Sequence, residues 1–158
     1  MTAADLCAVI ALLFAEVPAE RACAQAPAIL EAADDTFGPE LLAAIAVRES
    51  KLQPDALNPR SAACSTMQVL VYPARDRRRA CAAMRADLTG LAGYRAGVER
   101  LHAWRLVCLR RGTPGLRCVL RGYNGGARGV AGVIWRRDQI RRALARMQPP
   151  VVRQGAGS

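Results

Sequence analysis

Six cysteines stand at positions 7, 23, 64, 81, 108 and 118, and they fall into successive couples separated by 16, 17 and 10 positions. Three bridges between such neighbours would each close a short loop, stapling one element to the next and restricting the chain to folds built from local cross-links. The other reading is six reduced thiols acting as small buried hydrophobes. No CxxC pair occurs and His102 is the only histidine, so the usual zinc spacing and ligands are missing and neither a metal nor another cofactor is expected. Bridges would imply an oxidising setting, the periplasm, the extracellular space or a virion.

With 158 residues, 52% of them hydrophobic, the chain can bury one real core but not two. Its longest apolar run, LCAVIALLFA at residues 6–15, is too short to cross a bilayer as a helix. A secretory signal in residues 1–25 would want a basic start, whereas Asp5 is present and Arg21 is the first basic residue, so a buried helix is the favoured reading. Helical patterns cover residues 19–35, 39–50, 91–111, 116–123 and 130–147, separated by Pro, Gly and Asn clusters. Residues 53–61, QPDALNPRS, read as a loop; residues 67–72 admit a short strand or irregular chain, and residues 73–81 a helix start or a surface loop. The expected class is mainly α, a single domain with little or no β structure.

Charge is divided unevenly. Residues 1–74 carry nine acids against Arg21, Arg48, Lys51 and Arg60, while the remainder carries 19 Arg against four acids, Asp76, Asp87, Glu99 and Asp138. A cationic half attracts nucleic acid, anionic lipid or an acidic polymer. Specific nucleic-acid recognition is disfavoured because Trp104 and Trp135 are isolated among the basic segments and no recognition motif is present.

The segment with the most chemical content is LLAAIAVRES, residues 41–50. At about 100° per residue, Glu49 lies about 20° from Leu42 and about 40° from Ile45, on the apolar side of the helix. Desolvation there would raise its pKa and keep a proton available near neutral pH, which suits a general acid. The plain alternative is that Glu49 ends the helix and solvates it.

Three blocks, taken in order, resemble the lytic transglycosylases of the soluble-transglycosylase catalytic type, relatives of goose-type lysozyme. The family's helix ending in Glu-Ser reads AIAVRES at residues 44–50, followed by a proline-containing loop. Its Gly-Leu-Met-Gln block reads Ser65, Thr66, Met67 and Gln68, where only Met and Gln agree, and its Ala-Tyr-Asn-Ala-Gly block reads Gly122, Tyr123, Asn124, Gly125 and Gly126. The resemblance covers roughly residues 37–140. It implies a lysozyme-like catalytic domain over residues 37–148; outside it, residues 1–36 read as a helical segment packed on that domain and residues 149–158 as a flexible tail.

The resemblance also implies the chemistry. Glu49 would protonate the glycosidic oxygen between N-acetylmuramic acid and N-acetylglucosamine and then act as base, giving a 1,6-anhydro end without a second carboxylate. Tyr123 would hold the reacting acetamido group or Glu49, Asn124 would bond sugar, Gln68 and Met67 would line the cleft, and Ser50 would orient the helix end or Glu49. The partners implied are peptidoglycan strands, an anionic wall or outer-membrane surface met by the Arg-rich half, and the proteins of a phage virion or a secretion system. Hydrolytic lysozyme activity on the same fold, a basic nucleic-acid-binding protein and a wall-binding protein with a dead site are the competing readings.

Overall fold

In the computed structural model the described residues are 1–71, 74–124 and 127–147, without the side chains of Ala74 and Asn124. They form α1 (Ala3–Leu13), α2 (Ala19–Ala32), α3 (Pro39–Ser50), α4 (Arg77–Ala86, entered through a single 3-10 turn), α5 (Leu91–Arg110), α6 (Leu116–Asn124) and α7 (Ala127–Met147). The class is mainly α. Among the described residues β structure is confined to two isolated antiparallel bridges, Leu57 with Cys64 and Cys64 with Val69. Residues 149–158, expected to be a tail, lie outside the described residues.

α3 is the axis of the core. Gly38 caps its start in an extended conformation, Pro39 takes the first turn where its missing N–H costs nothing, and Glu40 complements the positive helix end. Every residue from Leu41 to Val47 is buried, so α3 has no wet face over these two turns, which is the mark of a helix enclosed by others. α7 and α2 pack on it, and α1 packs on both α2 and α7. Leu42 and Ile45 are fully buried, each contributing roughly 1.5–3 kcal/mol.

The six cysteines form three bridges in chain order. Cys7–Cys23 ties α1 to α2, Cys64–Cys81 ties the loop after α3 to α4, and Cys108–Cys118 ties the end of α5 to α6. These bonds fit an oxidising compartment. No helix among the described residues is long and apolar enough to cross a membrane. Residues 3–13 are a helix whose Leu6, Val9 and Ile10 are buried, begun by a capping box in which Thr2 and Asp5 bond each other's backbone N–H.

Two helices differ in extent by three residues from the sequence-based expectation: α7 begins at Ala127 rather than at position 130, and α2 ends at Ala32 rather than at position 35. α2 stops at Ala32 because Asp34 turns its carboxylate onto the N–H groups of Thr36 and Phe37, at 2.8 and 2.7 Å, closing a turn in place of another helical one. Of the segment 73–81, which admits a helix start or a surface loop, the part from Arg77 onward is the start of α4, a helix in which Cys81 and Met84 are buried.

The loop after α3 closes as a tight hairpin at residues 64–69, where Cys64 and Val69 exchange backbone bonds at 3.2 and 2.9 Å. It lies on a stripe of glycines on α5. A Cβ at Gly93 would stand 2.9 Å from Cβ of Ser65, and one at Gly97 would run into the Met67 thioether. Gly93→Ala is therefore expected to destabilise by about 1–3 kcal/mol through overpacking, despite Ala being the better helix former by ~1 kcal/mol. Thermal unfolding beside Gly132→Ala checks it, because the nearest atom to a Cβ at Gly132 is 3.4 Å away. A Gly93→Ala midpoint at or above that of Gly132→Ala would contradict the close packing.

Candidate active site

Helix α3 ends at Ser50 without a glycine. Lys51 and Leu52 both take left-handed backbone, φ 55° and 62°, and their N–H groups return to the carbonyls of Val47 and Ala46. Ala62, Ser65 and Gln68 are left-handed as well, at φ 57°, 68° and 50°. These are the five non-glycine residues with positive φ among the described residues, and all fall between positions 51 and 68. Each such conformation costs of order 1 kcal/mol or more and persists only where packing over-determines it, a pattern that clusters at functional sites. Ser65 occupies this backbone where the resemblance would have glycine.

Glu49 stands beside this strained segment. Its side chain is 20% exposed and accepts a hydrogen bond from Nη1 of Arg48 at 2.6 Å. Burial pushes its carboxyl up from the ordinary value of 4.5; the Arg48 guanidinium pulls the other way, and burial prevails. The result is a carboxyl that holds its proton more readily than a surface glutamate.

Two hollows meet at Glu49. One, of about 540 Å³, lies toward Lys51 and Arg60; the other, of about 460 Å³, lies toward Trp104 and Tyr123. Glu49, Asn58 and Gln68 line both, so together they form one open groove with the carboxyl at its middle. A third hollow of about 480 Å³ extends it through Val69, Leu70 and Arg100. Such a trough suits an extended polymer better than a compact ligand, which is normally enclosed.

The other expected site residues divide into groove walls and struts. Ser50 Oγ donates to the Thr66 carbonyl at 2.6 Å, and Tyr123 OH donates to the next carbonyl, Met67, at 2.8 Å. Two successive carbonyls at the hairpin tip are thereby tied to α3 and to α6. Tyr123 was expected to hold the acetamido group or Glu49; its phenolic proton goes instead to Met67, while its ring lines the groove. Burial, together with the charge of Glu49, pushes this phenol up, so it stays a donor.

Gln68 lines the groove as expected, with its amide N–H held by the Ser65 carbonyl at 3.1 Å. Met67 does not: its side chain is fully buried against Gly97, because the left-handed turn at Gln68 and the glycine gap on α5 draw it inward. The side chain of Asn124, and Gly125 and Gly126, lie outside the described residues.

Trp104 was missed as a site residue. Its indole lies on Gly122, where a Cβ would collide with the ring, and it lines the groove with Arg100 stacked over it at 5.5 Å. The sequence signal was the four-residue spacing of Arg100 and Trp104 on one helix face. A flat aromatic wall beside a half-buried acid can stack on a sugar ring while the acid reaches its bridging oxygen. Among the described residues no group of three or more His, Cys, Asp or Glu side chains is placed to hold a metal. Compared with the models of protein families, with curated proteins and with solved structures, the chain matches none.

Proposed function

We propose that the chain is a peptidoglycan lytic transglycosylase of lysozyme-like type, cleaving the β-1,4 bond between N-acetylmuramic acid and N-acetylglucosamine. The observation that carries this reading is Glu49, a proton-retaining carboxyl at the junction of two hollows in which it is the only carboxylate among the lining residues. A two-carboxylate glycosidase would want a partner across the scissile bond. Glu99 lines the third hollow and neither of the two that meet at Glu49; an acid with no carboxylate partner in its own hollows suits a route in which the substrate supplies the second group.

In that route the Glu49 carboxyl gives its proton to the bridging oxygen and the bond from C1 to that oxygen breaks. The substrate's own N-acetyl oxygen closes on C1 and takes up its positive charge. Glu49, now a carboxylate, draws the proton from the C6 hydroxyl; that oxygen attacks C1 and displaces the acetyl oxygen. Glu49 is protonated again, and the product ends in a 1,6-anhydro ring. Arg48, 2.6 Å away, stabilises Glu49 in the carboxylate interval between the two proton transfers. Ser50 and Tyr123 hold the hairpin that presents Gln68 to the sugar, and Trp104 offers a stacking face.

The cystines and the Arg-rich half accord with work outside the cytoplasm, in the periplasm, on the cell exterior or in a virion, held against an anionic wall or outer-membrane surface. Virion or secretion-system proteins are the partners such a wall-opening enzyme would serve.

Digestion of purified sacculi followed by mass spectrometry of the released muropeptides tests the reaction. The expected fragments end in 1,6-anhydro-N-acetylmuramic acid, lighter by one water than the corresponding reducing ends. Reducing ends would make the enzyme a hydrolytic lysozyme, since the groove is open to water. Absence of any released fragment would remove the reading.

A further inference from the structure

At the opposite end of α3 from Glu49, a hollow of about 410 Å³ opens between the turn at residues 36–38, the first turn of α3, the start of α6, and helices α5 and α7. It shares no lining residue with the groove. Phe37, Leu41 and Val119 form an apolar floor and are themselves buried. The turn that carries Phe37 is preset: Asp34 holds the N–H groups of Thr36 and Phe37 and meets His102 Nε2 at 2.6 Å, and the His102 ring sits edge-on to Phe37 at 4.9 Å.

Three guanidinium groups line this hollow. Arg105 comes from α5, while Arg137 and Arg141, four residues apart, come from one face of α7. Arg137 is engaged with Asp138, through Nε at 3.0 Å and Nη2 at 2.8 Å. Arg105 and Arg141 have no hydrogen bond or ion pair among the described residues. Glu40 is the only acid among the lining residues. Helices α3 and α6 both begin here, adding the positive ends of two helix dipoles.

Cationic groups gathered from separate elements around a preformed apolar floor repel one another until an anion fills the space between them. A planar carboxylate is satisfied by one guanidinium fork, whereas a tetrahedral oxyanion accepts from several directions at once. We propose that this hollow is a second binding site, distinct from the groove, that takes a phosphate ester carrying an apolar group: the phosphate between Arg105 and Arg141, the apolar group on Phe37, Leu41 and Val119. The ester is the headgroup of an anionic lipid or a soluble phosphomonoester, and either presents the same chemistry.

Titration of the ¹⁵N-labelled full-length chain with phenyl phosphate, inorganic phosphate and phenol tests the site. Phenyl phosphate is expected to bind about ten-fold or more tightly than either of the others and to shift the amides of Phe37, Leu41 and Leu116. The double variant R105A/R141A, with both side chains exposed and unpaired, is expected to keep its unfolding temperature and lose about ten-fold or more in that affinity. The variant R110A/R111A removes the same charge elsewhere on the cationic surface and is expected to leave the affinity unchanged. Equal loss in both variants, equal affinity for phenyl phosphate and inorganic phosphate, or shifts spread over the whole Arg-rich surface would overturn the proposal. Vesicles of phosphatidylglycerol against phosphatidylcholine then identify the source. Binding to the former, displaced by phenyl phosphate and lost in R105A/R141A, assigns the lipid headgroup, and its absence beside tight phenyl phosphate binding assigns a soluble ester.

Discussion

If the proposed reaction holds, Glu49→Gln is expected to keep the fold and lose roughly 10²–10⁴-fold in the rate of wall clearing, the range a positioned general acid contributes. The amide has the shape of the carboxyl and can still accept from Arg48, so the hairpin and the groove stay in place. What disappears is the proton. Stability moves the other way with pH. The folded chain holds the Glu49 proton above its ordinary value of 4.5, so wild-type stability is full below that value and is lost as pH rises through the raised one. The Gln variant has no such loss, and its advantage over wild type grows across that interval and then levels off. Clearing of purified walls and thermal unfolding, each followed against pH, read both effects. Clearing by the variant at the wild-type rate would mean that the proton comes from elsewhere.

The second large effect concerns the bridge under the hairpin. Cys64 and Cys81 are both buried, their Cα atoms 5.9 Å apart and their positions 17 residues apart. Closing a loop of that length removes about 3 kcal/mol of freedom from the unfolded chain. The double variant C64A/C81A is therefore expected to unfold roughly 10 °C below wild type. It should also lose activity below that temperature, because the same hairpin carries Gln68 and the two carbonyls held by Ser50 and Tyr123. C108A/C118A, which opens a 10-residue loop away from the groove, should unfold early as well but retain its activity until it does. If C64A/C81A kept full activity up to its unfolding temperature, the bridge would have no part in holding the hairpin.

The parts of this site that were legible in the sequence are those governed by local rules. Helical periodicity alone places Glu49 beside Leu42 and Ile45, and the couples of cysteines at short separation suit the three bridges, with reduced thiols as the alternative the spacing leaves open. The class, mainly α, follows from the same periodicities. Residues 51–68 were opaque because none of Lys51, Leu52, Ala62, Ser65 or Gln68 is a glycine, so nothing local marks their left-handed backbone. Tertiary packing imposes it.

Trp104 was only half legible: its four-residue spacing from Arg100 is in the sequence, but the surface it packs on is not. Its partner surface, Gly122, comes from another helix, and only the pair makes a groove wall. Met67 shows the limit of carrying a role over by resemblance: its side chain serves the core against Gly97, and its carbonyl anchors Tyr123. The arginines of the second hollow are scattered over α5 and α7 and converge only in space.

The central claim is that one carboxyl in the groove keeps its proton. With ¹³C-labelled glutamate, the Glu49 Cδ resonance, assigned by its loss in Glu49→Gln, can be followed from acid to neutral pH. R48Q, which removes the opposing guanidinium, should move its midpoint further up. For wild type, the account requires a midpoint above the ordinary value of 4.5. A midpoint at or below that value would contradict it.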